Sequence, residues 1–144
     1  MRDYTKIDAW KLADDCAVEV YGITKCFPRD EMYGLTSQLR RAASSVPANI
    51  AEGSARDTKR DYLHFLYIAR GSLTEVQYFL HLANRLEYLP GLDHTRLAER
   101  IRQAFACLHG LIKAVEQEAG KLAKLTARIT SLLVLSIAQW SVIA

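Results

Sequence analysis

Between Thr58 and Tyr88 an apolar residue recurs every three or four positions without interruption. On a wheel turned by about 100° per residue, Tyr62, Phe65, Leu66, Ala69, Leu73, Val76, Leu80 and Ala83 share an arc of about 100°. That width suffices for the core of a helical bundle and predicts a helix over 58–88. Thr58 with Asp61 three residues on reads as a capping box, Asp standing where Glu or Gln is usual. Beside the core arc lies a second one, with Ile68, Ser72, Glu75, Phe79, Leu82 and Leu86. One bundle needs only one apolar face, so the extra width points to a second burial partner, most simply another subunit. Ile68, Phe79, Leu82 and Leu86 are therefore the expected oligomer contacts. Gly71, costing about 1 kcal/mol relative to Ala inside a helix, is expected at a close helix approach.

The remaining face of this helix alternates rings and cations: Tyr67, Arg70, Thr74, Tyr78, His81 and Arg85, along about 27 Å at about 1.5 Å per residue. Rings stack on unpaired bases and guanidinium groups hold phosphates, so the face is a candidate nucleic-acid surface. A solvated or inter-subunit face with ordinary tyrosines is the competing reading.

The other helices follow from the same period. The first is expected from Thr5 or Asp8 to Cys26, where Phe27-Pro28 stops it, with Leu12, Ala13, Cys16, Ala17, Val20, Ile23 and Thr24 on its core face. Pro28-Arg29-Asp30 supplies a short turn and an N-cap, which makes the first two helices antiparallel neighbours. In the second helix Leu35, Leu39, Ala42, Ala43, Val46 and Ile50 face the core. Gln38, Arg41, Ser45, Asn49 and Glu52 form a polar strip beside them, about 80° wide. Short amide, hydroxyl and charged groups in one strip can bond each other or a neighbouring helix, so the strip, with Glu75 as a partner of Arg41 or Asn49, reads as a buried structural network or a ligand site. Pro47 removes one backbone bond and is expected to kink or restart the helix, with Ser44 and Ser45 bonding the freed carbonyls. Gly53 is expected to close it in a left-handed conformation. Asp93 is the expected N-cap of the fourth helix, whose stripe comprises Leu97, Ile101, Ala104, Phe105, Leu108, Leu111, Ile112 and Val115.

The 144 residues, half of them apolar, make one all-α domain, an antiparallel up-down four-helix bundle over 1–120. Residues 121–144 form an apolar C-terminal extension in which Leu122, Ile129, Leu133, Ile137 and Trp140 keep the phase of the fourth helix. The uncharged run 129–144 is shorter than the roughly 20 residues that span a bilayer, and self-association is its expected role rather than membrane anchoring. Cys16, Cys26 and Cys107 lack metal-type spacing and read as thiols in a reducing cytosol. The charged start Met1-Arg2-Asp3 lacks the apolar core of a secretory signal, so the expected compartment is the cytoplasm.

No glutamate has a histidine three residues on, and His64, His81, His94 and His109 are not paired at i, i+4, so neither a di-iron site nor another metal site is expected. Nucleophile elbows and phosphate-cradling glycine loops are missing too, and the chain is expected to have no enzymatic activity, cofactor or small-molecule substrate. Glu52 and Glu75 could act as paired carboxylates, but with Arg41 near them an ion-pair network is the better reading. A net charge of +3 is too small to declare nucleic-acid binding by itself. Within 32–86, however, the bases Arg40, Arg41, Arg56, Lys59, Arg60, Arg70 and Arg85 outnumber the acids Glu52, Asp57, Asp61 and Glu75.

The run Phe27-Pro28-x-x-Glu31-x-Tyr33-Gly34-Leu35-x-x-Gln38-x-Arg40-Arg41-Ala42-x-x-Ser45-x-x-x-Asn49-Ile50-Ala51-Glu52-Gly53, followed by Phe65-Leu66-x-Ile68-Ala69-x-Gly71-Ser72-Leu73-x-Glu75, resembles the four-helix-bundle proteins encoded within intervening sequences of bacterial 23S rRNA genes. The accessory protein of diversity-generating retroelements is a more distant likeness. The resemblance covers roughly residues 4 to 118 and implies a left-handed up-down bundle, assembly as a ring-shaped homopentamer, and a role in binding RNA or DNA. It carries no catalytic residues. The candidate nucleic-acid contacts are then Arg40, Arg56, Lys59, Arg60, Arg70, Tyr78 and Arg85. Their convergence on one face favours nucleic acid, and their dispersal favours a structural or protein-binding oligomer.

Overall fold

The computed structural model describes residues 2–89 and 91–143, except for the side chains of 132–143. Four helices carry the fold: α1 (Asp8–Ile23), α2 (Leu35–Ser54), α3 (Lys59–Arg85) and α4 (Gly91–Ile143), with no strand among the described residues. Each packs against the next and α4 returns to α1, which closes an up-down four-helix bundle. The core is the sum of the four stripes: Ala9, Ala13, Cys16, Ala17 and Val20 from α1; Leu39, Ala42, Ala43, Val46 and Ile50 from α2; Tyr62, Leu66, Ala69, Leu73, Val76, Leu80 and Ala83 from α3; and Leu97, Ile101, Ala104, Leu108, Ile112 and Val115 from α4. Alanines dominate the α1 contribution, so α1 can lie close to its neighbours, while the leucines of α3 and α4 fill the volume between them.

The helix ends differ from the sequence expectation in instructive ways. α1 stops at Ile23, and Thr24–Cys26 tighten into a 3-10 turn, where the buried Thr24 hydroxyl donates to the Val20 carbonyl at 2.7 Å. Asp30 does not cap α2. The cap comes from Glu31, whose Oε2 accepts from the Leu35 amide at 2.8 Å while Oε1 accepts from the Tyr88 hydroxyl at 3.3 Å. Gly34 makes room for that carboxylate, since a Cβ there would stand 2.5 Å from Glu31 Oε2. Asp93 likewise lies inside the first turn of α4, paired with Arg96 at 3.3 Å, because the helix already begins at Gly91. Thr58 caps α3 as expected, its Oγ1 accepting from the Asp61 amide at 3.0 Å and donating to Asp61 Oδ2 at 2.6 Å.

α2 runs through Pro47 as one helix. The Ser44 hydroxyl donates to the carbonyls of Arg40 and Arg41 rather than to that of Ala43, and Asn49 Nδ2 donates to the Ser45 carbonyl at 2.8 Å. Gly53 has no left-handed φ and remains within the helix. Its necessity is steric: a Cβ would meet Phe65 Cβ at 2.8 Å and the Tyr62 ring at 2.9 Å, so α3 lies close against α2 at Gly53. Gly71, expected at such a crossing, meets nothing within 4 Å.

α3 ends in a left-handed residue, Glu87 at φ 59°. The Tyr88 amide reaches back to the Ala83 carbonyl and the Glu87 amide to that of Asn84, both at 3.0 Å, the paired bonds of a Schellman turn. The turn delivers Tyr88 to Phe27, ring centres 5.7 Å apart, and to Glu31, so the cap of α2 and the end of α3 are one assembly. Past Val115, the last buried side chain among those described in α4, the helix projects from the bundle: Lys121–Ser131 are all exposed, Leu122 and Ile129 among them. The side chains of Leu133, Ile137 and Trp140 in the expected tail stripe lie outside the described residues.

Candidate nucleic-acid interface

The ring-and-cation face of α3 opens to solvent on the side toward α4. Tyr78 is 58% exposed and Tyr67 39%, with Arg60, Arg70, His81 and Arg85 exposed around them. Tyr67 is fixed at both ends: its hydroxyl donates to Glu116 Oε1 at 2.7 Å, and the Arg70 guanidinium lies 5.0 Å from its ring centre. Among the described residues no carboxylate stands within 4.0 Å of the charged groups of Arg60, Arg70 or Arg85. Tyr67 lay on this face by sequence but outside the expected contacts. Its anchoring by a residue 49 positions away leaves no local signal.

The other expected contacts do not join this face. Arg40 lies at the α1–α2 corner, where Nε donates to Thr24 Oγ1 at 2.7 Å and the guanidinium covers the Tyr21 ring at 5.0 Å. Arg56 is paired with Glu52 and rests on the Phe65 ring at 4.6 Å. Lys59 is paired with Glu118 of α4, which also takes Arg2 at 3.5 Å. The Lys59 hydrogen bond and charge hold the Glu118 carboxyl below its ordinary pKa. Two of the three bases at the start of α3 are thus neutralised within the chain, leaving Arg60.

The polar strip lies along the α2–α3 seam as a row of short links. Arg41 Nη2 donates to Gln38 Oε1 at 3.0 Å and approaches Glu75 Oε2 at 3.5 Å. Next come the Ser45 and Ser72 hydroxyls at 2.9 Å, with Asn49 Nδ2 donating to Ser45 Oγ at 3.0 Å, and then the Glu52–Arg56 pair. Its burial does not hold within one chain: Gln38, Arg41, Glu52 and Glu75 are exposed, and only Ser45, Asn49 and Ser72 are partly covered. Long charged ends reach water where the helix pair is open, while the short serines and Asn49 sit in the seam. Beside this row the second apolar arc is only partly covered, Ile68 at 40% and Leu86 at 44% exposure with Phe79 and Leu82 half-buried. Among the described residues no three His, Cys, Asp or Glu side chains are grouped to hold a metal ion.

The molecule is thus an up-down helical bundle whose long third helix presents an aromatic and cationic face on one side and an apolar and polar seam on the other. The chain belongs to the 23S rRNA-intervening sequence protein family, whose profile matches residues 5–110. A protein of unknown function from the S23 ribosomal protein family of Bacteroides thetaiotaomicron, known from its crystal structure, shares the fold with a TM-score of 0.68 and 23% identity over 73% of this chain and 98% of that one. No curated protein matches the chain.

Proposed function

We propose that the protein is a non-enzymatic, self-associating helical bundle that binds nucleic acid along the open face of α3. The observation that carries this reading is the row Arg60, Arg70 and Arg85, three exposed guanidinium groups without a carboxylate partner among the described residues, running beside Tyr67 and Tyr78. Unpaired guanidinium groups attract phosphates, and exposed rings stack on single-stranded bases with little regard to sequence. Three charges per chain bind weakly, whereas a ring of chains repeats the row and gains avidity without new contacts. The partly covered arc of Ile68, Phe79, Leu82 and Leu86 supports that assembly. It also favours the second reading, a protein-protein scaffold that leaves nucleic acid alone. A cytoplasmic location belongs to the same proposal; among the described residues no helix is long and apolar enough to cross a membrane.

A mobility-shift titration against a structured 23S rRNA fragment and a DNA duplex, at low and at physiological salt, tests the proposal. The expected result is binding of both at low salt, weakening steeply as salt rises. Absence of a shift at low salt would leave the scaffold.

A further inference from the structure

The corner where α1 turns into α2 holds a cavity of about 210 Å³ that the α3 face does not use. Thr24, Thr36 and Phe27 form its walls, and Lys25, Arg29 and Arg40 line it with three positive charges and no acidic side chain. Arg40 is held from two sides. Thr24 Oγ1 accepts from its Nε at 2.7 Å, and the Tyr21 ring lies beneath it at 5.0 Å. The Thr24 proton is committed to the Val20 carbonyl at 2.7 Å, so the hydroxyl presents a lone pair to the guanidinium. The two terminal amino groups of Arg40 have no acceptor among the described residues, which leaves the forked edge that suits an oxyanion.

The acids nearest in the chain, Asp30 and Glu31, do not line the cavity. Both Glu31 oxygens are taken, one by the Leu35 amide and one by the Tyr88 hydroxyl, and Asp30 is exposed outside the lining. The volume leaves room for a tetrahedral anion and its nearest atoms but is less than the ~300 Å³ at which drug-sized sites begin.

We propose that this corner is a phosphate site, taking a phosphate group with a free, doubly charged end: inorganic phosphate, or the 5′-terminal phosphate of an oligonucleotide. Arg40 supplies the fork, and Lys25 and Arg29 close over the remaining oxygens. The site is independent of the α3 face. It shares no residue with the row Arg60, Arg70 and Arg85.

Calorimetric titration of the full chain with inorganic phosphate, at constant ionic strength set by chloride, tests it. Saturable binding is expected, weakened at least about tenfold in Arg40→Gln and in the rim variant Lys25→Ala/Arg29→Ala, and unchanged in Lys124→Ala, an exposed position of α4 outside both sites. The rim variant, changing two exposed side chains, keeps the test sound if Arg40→Gln misfolds. A 5′-phosphorylated RNA decamer binding more tightly than its 5′-hydroxyl twin would assign the source to nucleic-acid ends; equal affinities with phosphate binding retained would assign it to free phosphate. The 5′-hydroxyl decamer reports on the α3 face alone, so the two proposals fail separately. Absence of saturable phosphate binding, or binding that both variants leave intact, overturns the phosphate site.

Discussion

Two glycines inside helices carry opposite meanings. A methyl group at Gly53 would press on Phe65 and Tyr62 within 3 Å, whereas one at Gly71 meets nothing within 4 Å. Gly53→Ala should therefore cost about 1–3 kcal/mol through overpacking. Gly71→Ala should add up to about 1 kcal/mol, because alanine is the better helix former. Chemical denaturation of the pair checks both signs, and a fall in stability for Gly71→Ala would contradict the open space around it. The cysteines divide in a similar way. Burial first, and the nearby Glu19 second, push the Cys16 thiol up to about 11, while Cys26 is exposed. At neutral pH a thiol reagent should label Cys26 and spare Cys16 in the folded protein, a pattern read by mass spectrometry. From sequence, Gly53 is expected to end α2 and Gly71 to mark a close helix approach, whereas the close approach lies at Gly53 and Gly71 has open space. What separates them is the residue opposite, which the chain brings near only on folding.

At the scale of elements, the stripes were legible because each helix buries one face and its period is written in the order of residues. Thr58 and Asp61 were legible for the same reason, lying three apart. The other two helix ends were not. Glu31 caps α2 through the Leu35 amide while its other oxygen accepts from Tyr88, 57 residues away, and the Schellman turn at Glu87 hides behind a residue that seldom adopts a left-handed φ. That φ costs a residue with a Cβ about 1 kcal/mol, which glycine would not incur. Glu87→Gly should accordingly stabilise the fold by about 0.5–1 kcal/mol, seen as a higher melting temperature. A lower one would mean that the Glu87 side chain makes a contact outweighing the strain. Arg56 pairs with Glu52 four residues back, a spacing the sequence carries, but the partners of Arg40 and Lys59, Thr24 and Glu118, are set by helix packing rather than by spacing along one helix.

Over the whole molecule, α3 is the organising rod. Its core face closes the bundle, its seam with α2 carries the polar links and the half-covered apolar arc, and its remaining face carries the unpaired arginines. Burial of the apolar arc by another copy predicts that Phe79→Asp yields a monomer by light scattering while the helical circular dichroism is retained. A wild-type chain already monomeric at micromolar concentration would remove the assembly step. The salt dependence of RNA affinity reports on the three arginines. Each phosphate contact contributes about one to the slope of log affinity against log salt, slightly less on single strands. Phosphate binding along this face predicts that replacing Arg60, Arg70 and Arg85 together by alanine makes the slope shallower by up to about three per chain engaged and lowers the affinity at every salt concentration. An affinity and slope equal to those of the wild-type protein would contradict it.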